Sequence, residues 1–270
     1  MEERKVIIFP DMDFGIEHRT DIQPDNNDFK LHQHDDVYEL VLFMSGDAEF
    51  YVEGSVYPLK PYNMVITRPF EMHHIKCLSK RPYERIIIYI KPEFFERHMC
   101  HEYEDILLNR QAGSGNIIPA DIVKDLLINP INRISVYTHD GALTAAGAVV
   151  VEFLYLLNNT QSAISPEKST DKRISNIISY INEHLSEQIT LDFLSDKFYI
   201  NKYHLCKLFK KNTGYTLSQY INHKRILLVR ELHQNGQSLL EASTNAGFNN
   251  YSHFYRMYVK KTGMTPKNMN

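Results

Sequence analysis

Two runs of the chain share a residue pattern whose chemistry suits a polyanion. His204-Leu-Cys-Lys-Leu-Phe-Lys-Lys-Asn-Thr-Gly-Tyr-Thr216 aligns with His253-Phe-Tyr-Arg-Met-Tyr-Val-Lys-Lys-Thr-Gly-Met-Thr265 at a constant offset of 49 residues. At helical spacing Leu205, Leu208 and Phe209 of the first run, and Phe254, Met257 and Tyr258 of the second, turn toward a core. The basic and polar residues between them turn outward. An α-helix fits a major groove, its N-terminal residues reach base edges, and Lys or Arg can pair with guanine. The candidates for base contact are therefore Tyr203, Cys206 and Lys207 in the first run and Tyr251, Ser252, His253 and Arg256 in the second. Lys202, Lys210, Lys211 and Lys260 are candidates for phosphate contact, as flexible point charges at the helix edges. The competing reading is a helical bundle with a merely solvated basic face. Duplication with matched positions, Lys207 against Arg256 and Lys211 against Lys260, argues against it.

Each run follows a short helix and a tight turn, Leu194 to Phe198 before the first and Leu239 to Phe248 before the second. This is the order of a helix-turn-helix. A long helix from about Leu217 to His233 joins the two. Thr190 is placed to cap the first short helix, while Thr216-Leu-Ser-Gln219 and Ser238-Leu-Leu-Glu241 read as capping boxes. Gly214, Gly236, Gly247 and Gly263 stand where helices should stop, and Thr265-Pro266 starts a last short helix. Upstream, Ile174, Ile177, Ile178, Ile181 and Leu185 form one stripe of a further helix.

From Lys5 to about Ile90 the pattern is different: short β-branched and aromatic runs (KVIIF, VYELVLFM, AEFYVEG, VYPL, MVIT, RIIIYI) broken by turn residues. Many short strands at this spacing predict a sandwich or barrel. Tyr38, Phe43, Phe50, Tyr51 and Tyr57 are expected in its core and lining. After Pro92 the pattern turns helical. Within it, Leu143, Ala146, Val150, Phe153, Leu154 and Leu157 form a stripe that either pairs with a second copy or closes this domain's own core. Residues 159–171 are polar and read as a linker.

Charge separates the same two halves. Residues 171–270 carry 14 Lys and Arg against 7 Asp and Glu, while the whole chain has a net charge of −3. A basic half on an acidic one points to nucleic acid. Three scattered cysteines (Cys77, Cys100, Cys206) exclude a disulfide framework and fit a reducing compartment. The start MEERKVIIFP has no apolar signal core, and Gly141 to Leu157 falls short of a membrane span, so a cytoplasmic protein is expected.

Phe209-Lys-Lys-x-x-Gly214, Tyr220-x-x-x-Lys-Arg225, Ala246-Gly-Phe248 and His253-Phe-x-Arg-x-Tyr-x-Lys-Lys-x-Gly-x-Thr-Pro266 resemble the double helix-turn-helix domain of the AraC/XylS family of bacterial transcription regulators. The resemblance covers about 172–270. Departures are Ala242-Ser243 for the usual Ile-Ala, Val229 for Ala, and Met269-Asn270 for the final Tyr-Arg. The front half resembles cupin barrels through His32-Gln-His34-x4-Glu39-x6-Gly46 and, in part, through Pro69-x4-His74. Here Glu71 replaces a glycine and Tyr62-Asn63 replaces a Gly-Asp turn. That resemblance implies a polar cluster of His32, His34, Glu39 and one of His73 or His74, since adjacent residues of a strand point to opposite faces. Such a cluster serves either an effector or a divalent metal; the first reading is preferred and no metal or cofactor is assigned.

The expected architecture is an α+β multidomain chain: a cupin-like β-barrel over 1–92 that binds an effector, a helical dimerisation segment over 93–158, a linker over 159–171, and an all-α double helix-turn-helix domain over 172–270. The expected function is transcription regulation controlled by a small molecule, a sugar or related metabolite, with no catalytic residues. The expected partners are double-stranded DNA, the effector, a second copy of the chain and, for an activator, RNA polymerase, with no membrane. The alternative is a metal-dependent cupin enzyme fused to a DNA-binding module. A barrel that only dimerises is a third reading.

Overall fold

The computed structural model describes residues 8–9, 11–24, 34, 36–110, 113–160, 172–262 and 265–268. His32, Gly263, Met269-Asn270 and the linker stretch 161–171 lie outside the described residues. The chain forms two compact units, Met1–Ser169 and Thr170–Asn270.

The first unit contains β1 (Phe14–Asp21), β2 (Tyr38–Ser45), β3 (Ala48–Val52), β4 (Ser55–Pro58), β5 (Met64–Thr67), β6 (His73–Cys77), β7 (Tyr83–Ile90) and β8 (Ile117–Ile118). They make a five-stranded sheet in the order β1-β7-β2-β5-β8 and a three-stranded sheet in the order β4-β3-β6, with antiparallel pairing throughout. Among the described residues the two sheets are separate ladders, so the β-rich unit is two facing sheets and not one closed hydrogen-bonded barrel.

Residue parity assigns each side chain to a layer. Leu40, Leu42, Ile86, Ile88 and Ile90 pack with the helical residues that follow the strands. Val41, Phe43, Ile87 and Tyr89 instead pack with Phe50, Val52, Ile75 and Cys77 of the small sheet. Because β2 and β7 are covered on both sides, they read as nearly continuous apolar runs. Strand β1 was not legible: Glu17, His18, Arg19, Thr20 and Asp21 give it no apolar alternation, and only its register with β7 from Phe14↔Ile90 to Asp21↔Tyr83 defines it.

The helical layer comprises α1 (Pro92–Arg97), α2 (Asp105–Leu108) and α3 (Ala120–Ile122), then a π-helical turn (Val123–Leu127) leading into α4 (Ile128–His139), and α5 (Leu143–Asn158). The α5 stripe corrects one expectation. Ala146, Val150, Phe153, Leu154 and Leu157 are fully buried in this unit's own core beside Ile131 and Ile134, so the stripe is not available for pairing with a second copy.

The second unit is helical: α6 (Lys172–Glu183), α7 (Leu191–Lys197), α8 (Lys202–Thr213), α9 (Leu217–Gln234), α10 (Leu239–Asn245) and α11 (Tyr251–Thr262), with a 3₁₀ turn at Pro266–Asn268. Its boundaries follow local chemistry. The Thr190 hydroxyl accepts from the Phe193 amide at 3.1 Å, and Thr216/Gln219 and Ser238/Glu241 form complete capping boxes. Gly247 has φ +90°, and a Cβ there would overlap the Leu185 carbonyl oxygen and stand 2.9 Å from Arg225 Nε. Arg225 donates to that carbonyl from Nε (2.9 Å) and to the Glu187 carbonyl from Nη2 (2.6 Å). One arginine thus ties the end of the α6 segment, α9 and the turn before α11 together.

Candidate nucleic-acid interface and effector cavity

Helices α8 and α11 begin in the same way. The Asn201 side-chain oxygen accepts from the Tyr203 amide at 3.0 Å, and that of Asn250 accepts from the His253 amide at 2.8 Å. The 49-residue repeat therefore extends to the caps, a match the sequence reading missed although both asparagines stand at the same offset. The cores fill as expected: Leu205 and Phe209 are buried in α8, and Phe254 and Tyr258 in α11, with Leu208 and Met257 half-buried.

The outward face carries the chemistry. Tyr203, Cys206, Lys207, Ser252 and Arg256 are exposed, as are Lys202, Lys210, Lys211 and Lys260. Tyr251 and His253 are half-buried: the Tyr251 ring packs 5.7 Å from that of Phe254, and the His253 ring lies edge-on to Phe248 at 5.6 Å. Lys202 is held by Asp192 at 2.8 Å, which raises its pKa.

In the first unit Glu39 of β2 and His73 of β6 share the parity of the facing sheet surfaces and meet between them. His73 Nε2 lies 2.8 Å and His34 Nε2 3.6 Å from Glu39 Oε2. Phe50 stacks on the His73 ring at 5.7 Å, and Tyr89 meets His34 edge-on at 5.9 Å. Burial works against charge on both partners, but the hydrogen bonds and attraction from the histidines hold Glu39 well below the usual carboxylate range. In the same way, burial of His73 is outweighed by its bond to Glu39, and its pKa is raised. Ligand atoms of His34, Glu39 and His73 all lie within 4.8 Å of one another, a spacing that a metal ion can bridge.

His74 points the other way. It stacks on Tyr51 at 4.5 Å on the outer face of the small sheet, and burial, with the neighbouring His73, lowers its pKa to about 4. Strand alternation removes it from the cavity and corrects its assignment to the effector cluster.

Two further cavity residues escaped the sequence reading. Arg19 and Arg85 face each other in register across β1 and β7 and line the same cavity. Each is neutralised on its own wall, Arg19 by Glu17 and Arg85 by Asp21. Arg85 was visible only as a charge at the head of an apolar run, and Arg19 lies on the strand that had no apolar signal. The cavity measures about 30 Å³, room for one or two water molecules.

Comparison with known proteins agrees with this two-unit organisation. The model of the AraC-like ligand binding domain matches residues 16–102, and a helix-turn-helix domain model matches residues 194–270. The uncharacterized HTH-type transcriptional regulator YdiP of Escherichia coli K12 is 24% identical over 244 residues, 87% of this chain and 78% of YdiP. The HTH-type transcriptional activator RhaS of Enterobacter sp. strain 638 is 20% identical over 250 residues, 88% of this chain and 86% of RhaS. Among solved structures, unsaturated fatty acid bound ToxT from Vibrio cholerae matches with 14% identity and a TM-score of 0.42, covering 96% of this chain and 95% of ToxT. The chain belongs to the AraC/XylS family of transcription regulators, with a ligand-binding unit in its front half and a DNA-binding helix-turn-helix unit in its last hundred residues.

Proposed function

We propose that α8 and α11 enter two major-groove segments and that the His34, Glu39 and His73 cluster reports an effector to them. The observation that carries the DNA reading is the matched pair of asparagine-capped helices, each with an exposed basic residue, Lys207 or Arg256, one turn into its outward face. Tyr203, Cys206 and Lys207 serve one segment, and Tyr251, Ser252, His253 and Arg256 the other. Lys210, Lys211 and Lys260 hold phosphates, with Lys202 contributing after it leaves Asp192. In this proposal a cupin-like sensor spans 1–92, helices 93–158 and the DNA-binding domain 172–270, the bounds that the sequence pattern suggests.

The cluster is buried, charged and backed by aromatic rings, which suits a polar effector such as a sugar. At about 30 Å³ the cavity has to widen before anything of that size enters. A second reading, a divalent metal ion at the cluster, is favoured by the 4.8 Å ligand spacing and by a volume that already suits an ion and one water. A homodimer is compatible with the outer face of α5, where Ala148, Glu152 and Tyr155 are exposed. RNA polymerase joins the partners if the protein activates, and the cytoplasm is the compartment in which such a regulator works.

The test is DNA binding by the full chain, titrated with a panel of sugars and separately with Zn²⁺ before and after chelation. A response lost in both Glu39→Ala and His34→Ala supports the cluster. A response that survives in both variants puts the effector elsewhere. A response to Zn²⁺ alone replaces the first reading with the second.

A further inference from the structure

Glu71 lies in the connection between β5 and β6 and is 2% exposed. Both carboxylate oxygens are occupied. Oε1 accepts from Arg110 Nη1 at 2.8 Å and from the Gly113 amide at 3.1 Å. Oε2 pairs with Arg110 Nη2 and accepts from the Arg68 amide at 3.2 Å and Asn116 Nδ2 at 3.3 Å. Burial alone would raise its pKa, but Arg110 and these donors hold it down. Its main chain works in the opposite direction: the Glu71 carbonyl oxygen lies 2.7 Å from His73 Nδ1. A carbonyl can only accept, so Nδ1 carries the proton and the ring is fixed with Nε2 toward Glu39. One residue therefore orients a cavity histidine with its backbone and fastens Arg110, Gly113 and Asn116 with its side chain.

Residues 113–116 have little freedom to slide. Gly113 has φ +68°, and a Cβ there would stand 2.9 Å from both Glu53 Cβ and the Val52 carbonyl oxygen. Its own carbonyl accepts from the Tyr57 hydroxyl at 2.9 Å. The Asn116 carbonyl accepts from the Ile66 amide at 2.8 Å, just before the chain enters β8 and the helical layer.

We propose that Glu71 is a positioning residue that couples the cavity to Arg110 and residues 113–116, through the contact series Glu39, His73, Glu71, Arg110 and Gly113. The proposal rests on the reading of Glu39 and His73 as effector contacts. A ligand that draws Glu39 away frees the His73 ring, and the 69–73 backbone that the ring braces is released. The Glu71 carboxylate then shifts with that backbone, and its charge-assisted bonds carry Arg110 and Gly113 along.

Amide hydrogen exchange on the full chain tests this without any ligand. Glu39→Gln removes the charge at the cavity end while keeping the shape. The Gly113 amide and the 114–118 amides are expected to exchange about 10-fold faster in this variant, with β1 and β7 amides at wild-type rates. In the double variant with Glu71→Gln the added effect of Glu39→Gln should vanish, whereas a purely structural Glu71 would leave the two effects additive. An unchanged Gly113 rate overturns the proposal, as does additivity. If Glu39→Gln loosens the whole unit, Glu39→Asp, which only retracts the carboxylate, serves in its place, and uniform acceleration there also overturns it. An effector that binds normally without Glu39 would end the effector reading while leaving this exchange result standing.

Discussion

Glu39 and His73 come from different sheets and meet at 2.8 Å, Oε2 to Nε2, inside a unit whose remaining contacts between those sheets are largely apolar. Their pKa values move in opposite directions. The lowered Glu39 pKa stabilises the fold above the ordinary carboxylate value of 4.5, and this stabilisation is lost as pH falls through the folded value. The raised His73 pKa stabilises below the ordinary 6.5, and this stabilisation is lost as pH rises through the folded value. The pair therefore contributes most between pH 4.5 and 6.5. Thermal melting of wild type and Glu39→Gln should differ most in that window and converge as pH rises beyond it. By NMR titration His73 should protonate above 6.5, while His74, in its outer-face stack, should protonate near 4.

Gly247 and Gly236 form a matched comparison. Both have positive φ, +90° and +94°, but a Cβ on Gly236 meets nothing within 4 Å while one on Gly247 overlaps Leu185 and crowds Arg225. Gly236→Ala should cost about 1 kcal/mol from backbone strain alone. Gly247→Ala should cost roughly 2–4 kcal/mol, because the junction that holds the two helix-turn-helix halves must open. Urea unfolding of the helical transition measures both.

Burial of the α5 stripe gives a stability prediction in place of an assembly one. Leu154 is fully buried, so Leu154→Arg should destabilise the first unit by roughly 4 kcal/mol or more and lower expression of folded protein. Circular dichroism with sedimentation decides: a folded monomer would return the stripe to an intermolecular role.

Phosphate contacts predict a salt slope. Each contacting lysine removed should lower the slope of log K against log salt by about 0.9. Lys210→Ala, Lys211→Ala and Lys260→Ala should each show this, and Lys202→Ala should show less, because Asp192 already neutralises it. DNA binding measured across a salt series checks the order.

The helical half was legible because its signals are local. A capping box or a helix-stopping glycine needs only residues within one turn, and the repeat supplied two copies of the basic amphipathic helix. In the front half the apolar runs located β2 to β5 and β7 but not β6, whose His73-His74-Ile-Lys-Cys77 carries little apolar signal, and pairing between strands distant in sequence decided the rest. Strand β1 carries its polar residues Glu17, Arg19 and Asp21 on the inner face, so no periodicity marked it, and the two cavity arginines became neighbours only through the β1–β7 register. The histidine pair was readable down to the alternation rule, which left open which member points inward; the Glu71 carbonyl, bonded to His73 Nδ1, settles that locally. The dimer stripe failed for a simple reason: an apolar helix face states that something covers it, not what does.

The central claim is that one chain reads two major-groove segments through α8 and α11. Footprinting of the full-length protein on DNA fragments selected by it tests this most directly. The account predicts two protected major-groove segments on one face of the duplex, about 10 bp apart. Arg256→Ala should relax preference at a single base pair in one of them, at a cost of roughly 1–3 kcal/mol. A single protected segment, or a loss of affinity in Arg256→Ala that is equal at every sequence, would contradict it.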